Sequence, residues 1–152
     1  MAVRFQPEGY YSVTPYLICR NADAAIDFYK RAFGAKVTVR MGDDKKVGHA
    51  ELKIGDSIVM LADEFPERGA RSPQTVGGSP VQLLLYVPDV DAAVKQATDA
   101  GAKVTRPVAD QFYGDRTGGI EDPFGHHWYL ATHIEDVTAE EMKRRMAAMQ
   151  PK

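Results

Sequence analysis

"DAAIDFYKRAFGAKV" occupies residues 23–37 and "DAAVKQATDAGAKV" residues 91–104. Both open Asp-Ala-Ala-aliphatic and close Gly-Ala-Lys-Val, with one residue of difference in length. Self-similarity at a period of about 68 residues predicts two copies of one supersecondary unit.

Each copy carries the same succession of patterns. An apolar run comes first, "YLIC" at 16–19 and "VQLLLYV" at 81–87, and reads as a strand buried on both faces. A helix follows. In the first copy Ala25, Phe28, Tyr29, Ala32 and Phe33 fall on one helical face; in the second, Val90, Ala93, Val94 and Ala97 do. Asn21 or Asp23, and Asp89 or Asp91, are the candidate N-caps, with Gly34 and Gly101 as stops. Strand patterns come next: "KVTVRM", "GHAELKI" and "SIVMLA" in copy one, "KVTRPV", "DRTGGIED" and "HHWYLA" in copy two. The expectation is therefore an α+β fold of tandem β-α-β-β-β units, residues 12–63 and 80–133, pairing into one curved mixed sheet within a single domain spanning 1–152. The Pro-, Gly- and Ser-rich stretch 64–79 reads as the linker. A capping box at Thr138–Glu141 opens a last helix, 137–149, in which Met142, Arg145, Met146 and Met149 share a face that could pack on this chain or on a second one.

Bulk properties narrow the function. A chain of 152 residues, 44% hydrophobic, has enough apolar surface for a core. A net charge of −2 with scattered Lys and Arg argues against a nucleic-acid partner. The single cysteine, Cys19, rules out a disulfide framework within the chain and reads as a buried thiol, which suits a reducing cytoplasm. No apolar run is long enough for a membrane span, and the N-terminal stretch has no signal-peptide core.

The two-unit pattern, carried by "DAAIDFYKRAFGA", "GHAELKIGDSIVMLADE" and "YGDRTGGIEDPFGHHWYLATH", resembles the vicinal oxygen chelate superfamily of glyoxalases, bleomycin-resistance proteins and extradiol dioxygenases. With "VTAEEMKRR" it is similar to the PhnB-like branch. Members sometimes called methyltransferases belong to that branch, but no glycine-rich nucleotide loop occurs here. The resemblance implies a small-molecule site on a concave sheet and a homodimer. In metal-using members each unit supplies two ligands, from its first and its last strand. Those positions correspond to Thr14, Met60, Gln82 and Tyr129, a set with no imidazole, carboxylate or thiolate and thus poorly suited to a divalent metal. No metal and no other cofactor is expected.

Strand alternation then assigns faces. Tyr16 and Ile18 share a side with Thr14, Leu84 and Tyr86 with Gln82, and His127 with Tyr129, whereas Trp128 turns to the core. Adjacent His126 and His127 point to opposite sides and do not converge on one metal; His126 reads as a surface or boundary residue. His49 and Glu51 form a polar face that is either an exposed edge or the acid/base part of a site. Phe112, Tyr113 and Arg116 could hold a planar anion at a cavity rim; alternatively Arg116 is ion-paired to Asp122 or Glu121. The favoured function is metal-independent binding of a small, partly aromatic molecule through Tyr16, Met60, Gln82, Leu84, Tyr113, Arg116, His127 and Tyr129. The alternatives are a metal-using lyase, isomerase or oxygenase of the glyoxalase type, and a structural dimer without ligand.

Overall fold

The computed structural model describes residues 2–150. Unit one runs β1 (Tyr16–Cys19), α1 (Ala22–Phe33), β2 (Lys36–Gly42), β3 (Val47–Ile54), β4 (Ser57–Asp63). After a short helix, α2 (Pro73–Val76), unit two repeats the order: β5 (Gln82–Tyr86), α3 (Val90–Asp99), β6 (Lys103–Asp110), β7 (Asp115–Glu121), β8 (His127–His133); α4 (Ala139–Met149) ends the chain. The strands form two four-stranded mixed sheets, ordered β1-β4-β3-β2 and β5-β8-β7-β6. In each, the first strand runs parallel to the last and the others are antiparallel. The repeat thus reappears as identical topology, and the fold is α+β as the patterns predict.

The first residue of each candidate capping pair serves. Asn21 accepts from the Ala24 N–H and Asp89 from the Ala92 N–H. Gly34 ends α1 in the left-handed region, at φ 65°; α3 instead closes on Ala100, with Gly101 following at φ 120°. Apolar spacing buries Ala25, Phe28, Tyr29 and Ala32 of α1, and Val90, Val94 and Ala97 of α3.

The "YLIC" and "VQLLLYV" strands are not buried on both faces. Helices cover one side only, so Leu17 and Cys19 are buried while Tyr16 is 47% and Leu84 51% exposed. Both strands stand at the edge of a four-stranded sheet, which explains the difference from a central parallel strand.

An aromatic cluster between the units makes the centre of the core. Trp128 of β8 lies 4.8 Å from Phe33 and 5.6 Å from Tyr29, ring centre to ring centre. Beside them, the Asp122 carboxylate is 3% exposed. Its two oxygens accept from the Tyr29 hydroxyl (2.5 Å), the Trp128 Nε1–H (3.0 Å) and the Phe124 and His126 amides (2.9 and 3.0 Å). The same carboxylate therefore shapes the Pro-Phe-Gly turn and ties unit two to α1. His126 Nε2 donates to the Ile18 carbonyl at 2.9 Å, placing this half-buried residue at the boundary between units. Cys19 is a buried free thiol, and burial pushes its pKa well up.

The connecting segment is more ordered than its composition suggests. Glu64 accepts from the Thr75 hydroxyl (2.6 Å) and the Ser72 amide (3.0 Å), and these bonds hold its carboxyl down to about 2. Thr138 caps α4, yet no residue of α4 is buried. Met142 and Arg145 are half-buried while Met146 and Met149 are exposed, so only the first part of the methionine stripe packs on this chain. Arg145, paired with Glu135 and donating to the Phe112 carbonyl, holds the helix in place. Among the described residues no helix is long and apolar enough to cross a membrane.

Candidate functional site

Register confirms the face assignments. Tyr16 stands opposite Met60, and Met60 opposite Glu51. Gln82 stands opposite His127, and Leu84 opposite Tyr129. These side chains share the faces turned away from the helices, while Leu17, Leu61, Trp128 and Leu130 fill the core. The two units meet at a common hollow of about 250 Å³, lined by Pro15 and Ser57–Val59 from one and Leu83–Leu85 from the other.

On unit one the open face carries a hydrogen-bonded chain. His49 Nε2 donates to Glu51 Oε1 at 3.0 Å, which leaves Nδ1 to accept from the Tyr16 hydroxyl at 2.8 Å. The Tyr10 hydroxyl donates to the other oxygen of Glu51. Glu51 is only 8% exposed, so it is no solvated edge residue. Hydrogen bonds from His49 and then Tyr10 hold its carboxyl below the usual range, against the opposing effect of burial. Burial and the Glu51 charge raise the Tyr16 phenol. This arrangement orients an imidazole with a carboxylate behind it and can pass a proton to or from a phenol.

On unit two a hollow of about 510 Å³ is lined by Leu84, Arg106, Pro107, Gln111, Tyr113, Thr117 and Tyr129. Gly119, opposite both Arg106 and Tyr129 in the ladders, puts no side chain between them. Arg106 lies over the Tyr129 ring at 5.5 Å. Its neighbour Gly118 faces the other way, where an added Cβ would meet Val94 at 3.0 Å and Val108 at 2.9 Å.

The nominated residues therefore share a face without sharing one cavity. Leu84, Tyr113 and Tyr129 meet in the unit-two hollow. Met60 and Thr14 lie with Tyr10 and Glu51 in a second hollow, about 450 Å³, under the N-terminal arm. Tyr16 lines a groove with Ile18 and Phe65. Gln82 and His127, paired with each other, line none of these three.

Arg116 does not belong to the rim. It is opposite Thr132, out of phase with Asp115 and Thr117, and bonds to Asp91 of α3 at 2.8 and 2.9 Å and to Asp110 at 2.9 Å. The expected alternative partners Asp122 and Glu121 are also wrong: Asp122 is committed in the core, and Asp91 and Asp110 are the acids within reach. Parity along "DRTGGIED" already sets Arg116 on the side away from Thr117.

Three further features stand outside the nominated set, the first two of them beyond the reach of periodicity. Tyr10 sits in an irregular arm, where no repeat predicts its partner. Arg106 follows a register shift in β6. Asp115 accepts from the Tyr86 hydroxyl at 2.8 Å and from His133 Nδ1 at 2.7 Å, while His133 Nε2 reaches Asp136 at 2.8 Å. The Asp136 and Asp115 carboxylates raise the pKa of His133. His133 continues the parity of 127, 129 and 131, so alternation contained that signal.

The family resemblance assigns four positions to a metal. Thr14, Met60, Gln82 and Tyr129 are neutral, and Met60 is a soft thioether, so they do not fit a divalent metal. His49 has both ring nitrogens engaged, with Tyr16 and Glu51. Among the described residues no three His, Cys, Asp or Glu side chains are grouped to hold an ion.

Two β-α-β-β-β units, backed by helices on one face and bearing polar and aromatic side chains on the other, define a class of sheet-borne sites. The chain belongs to the Glyoxalase/Bleomycin resistance protein/Dioxygenase superfamily, whose family model matches residues 11–130. A protein of Mycobacterium bovis is 41% identical over 152 residues, with 97% of each chain covered. The X-ray structure of an Arabidopsis thaliana gene product is 30% identical, with a TM-score of 0.66 over 80% of this chain and 98% of that one. The bleomycin resistance determinant encoded on transposon Tn5 is 21% identical, with a TM-score of 0.60 over 81% of this chain and 98% of that one, a likeness of fold.

Proposed function

We propose that this protein binds a small, partly aromatic organic molecule on the open face of its sheets, without a metal. The observation that supports this most is the unit-two hollow. At about 510 Å³, walled by Leu84, Tyr113 and Tyr129 with Thr117, Gln111 and Arg106 as polar points, it has the size and make-up of a small-molecule site. The known resistance determinant of the same fold is consistent with such a role.

A melting-temperature screen of aromatic small molecules tests the proposal. A ligand at 100 times its dissociation constant stabilises the native state by about 2.7 kcal/mol. Leu84 is exposed, so Leu84→Gln should change intrinsic stability by no more than about 0.5 kcal/mol. It should weaken a hit's binding by about 1–2 kcal/mol, as expected for losing most of a leucine's apolar contact. A screen without hits, or hits indifferent to Leu84→Gln, would count against the hollow.

Metal independence has its own measurement. Purified without chelator, the protein should carry well under one equivalent of Ni, Zn, Fe or Mn. Stoichiometric metal lost on Tyr129→Phe or His49→Ala would instead move the reading to a metalloenzyme.

The Tyr16–His49–Glu51–Tyr10 chain favours a second reading, an enzyme of the glyoxalase type in which His49 and Glu51 move a proton. A turnover abolished by His49→Gln while ligand affinity persists would favour it. The exposed Tyr16, Leu84, Met146 and Met149 support a homodimer, and the buried thiol supports a reducing cytoplasm. The "VTAEEMKRR" helix supports the PhnB-like branch.

A further inference from the structure

We infer that the unit-two hollow takes a planar aromatic anion, with Arg106 as the residue that recognises the negative group. This rests on the hollow being a small-molecule site and adds the charge class of its ligand.

Arg106 is distinguished by what surrounds it. Arg20, Arg31, Arg40, Arg116, Arg144 and Arg145 are each ion-paired. Among the described residues no carboxylate pairs with Arg106. It is the single charged side chain in the wall of its hollow, where Gln111, Thr117 and two tyrosines are the other polar groups. Arg68 also lies over a ring, Phe65, at 5.0 Å, but its groove holds Asp63, Glu64 and Glu67, which leave no net positive charge there.

The position of Arg106 is built into the sheet. Arg106 and Tyr129 both stand opposite Gly119, on either side of β7. An added Cβ at residue 119 would come within 2.8 Å of Thr105 Oγ1 and 3.2 Å of Arg106 Cβ. Its absence lets the guanidinium reach across β7 to the Tyr129 ring. Stacking orders the long side chain while leaving its N–H donors for a ligand, and a guanidinium presents two of them in the spacing of a carboxylate. Leu84 and the tyrosines offer contact to the aromatic body. The hollow of unit one under the N-terminal arm contains buried Glu51, whose charge disfavours the same anion there.

Calorimetric titration of the full chain with 2-naphthoate and its uncharged isostere 2-naphthamide tests this. Naphthoate should bind about tenfold or more tightly than naphthamide, as charge-assisted hydrogen bonds predict. Arg106→Gln should erase that preference while leaving naphthamide affinity within about twofold. Arg106→Lys should keep part of it, since an ammonium is a point charge without the fork. Equal affinities for the two probes, or a preference that survives Arg106→Gln, would overturn the inference. If naphthamide binds equally well and is weakened by Leu84→Gln, the anion class falls while the small-molecule hollow stands. If neither probe binds, both fall. Arg106 is exposed and outside the core, so folding of its variants is not at issue, and unchanged melting temperatures verify it.

Discussion

Replacing Trp128 with alanine should destabilise the protein by about 3–5 kcal/mol, the range for emptying an aromatic site in a packed core. The ring is 4% exposed and meets Phe33 and Tyr29 at the junction of the two units. Its deletion leaves a void bounded by α1 on one side and β8 on the other, which backbone elements locked in hydrogen-bonded ladders cannot close. Urea denaturation measures the loss. A value under about 1 kcal/mol would show that the site collapses freely. As Trp128 is the single tryptophan, native emission reports it alone, and should be blue-shifted and indifferent to ligands on the opposite face.

Asp122→Ala should cost a similar amount, about 3–5 kcal/mol, by a different route. No large void forms. Instead the Tyr29 hydroxyl, the Trp128 indole N–H and two backbone amides lose their acceptor in a dry environment, and each orphaned donor carries a desolvation penalty. Tyr29→Phe provides the contrast: it removes one bond and leaves Asp122 three partners, so it should cost about 1.5–3 kcal/mol. A double-mutant cycle between Asp122 and Tyr29 should show non-additivity. Additive costs would mean that the carboxylate acts only within its own turn.

Those two residues show how far the linear pattern reaches. The repeated Asp-Ala-Ala and Gly-Ala-Lys-Val segments announced the two units, because helix period, cap and stop are local properties. Alternation put Tyr16, Glu51, Met60, Leu84 and Tyr129 on faces opposite the core, because a strand's side chains have no other choice. It failed where the chain slips register or leaves a strand. Parity within "DRTGGIED" sets Arg116 apart from Asp115 and Thr117 but does not say which acids it meets, and shifts in β6 on both sides of Arg106 blur the period there. The Tyr29–Asp122 and Tyr10–Glu51 bonds join residues far apart in the chain, which no local spacing encodes. Which hollow each face residue would line was equally hidden, since that depends on the arm and the sheet edges meeting in three dimensions.

The adjacent glycines 118 and 119 read in sequence as one flexible, structurally weak spot. In the fold they answer to separate constraints. Residue 118 sets how closely α3 can settle on its sheet, since a methyl there would press on stiff valine branches at 94 and 108. Residue 119 sets how closely Thr105 and Arg106 of β6 can lie on the other side. Enlarging the first position presses on Val94 and Val108, and enlarging the second presses on Thr105 and Arg106 of β6. One dipeptide thus keeps both sides of a single strand open to close neighbours, valines of the core on one side and the arginine that reaches the Tyr129 ring on the other.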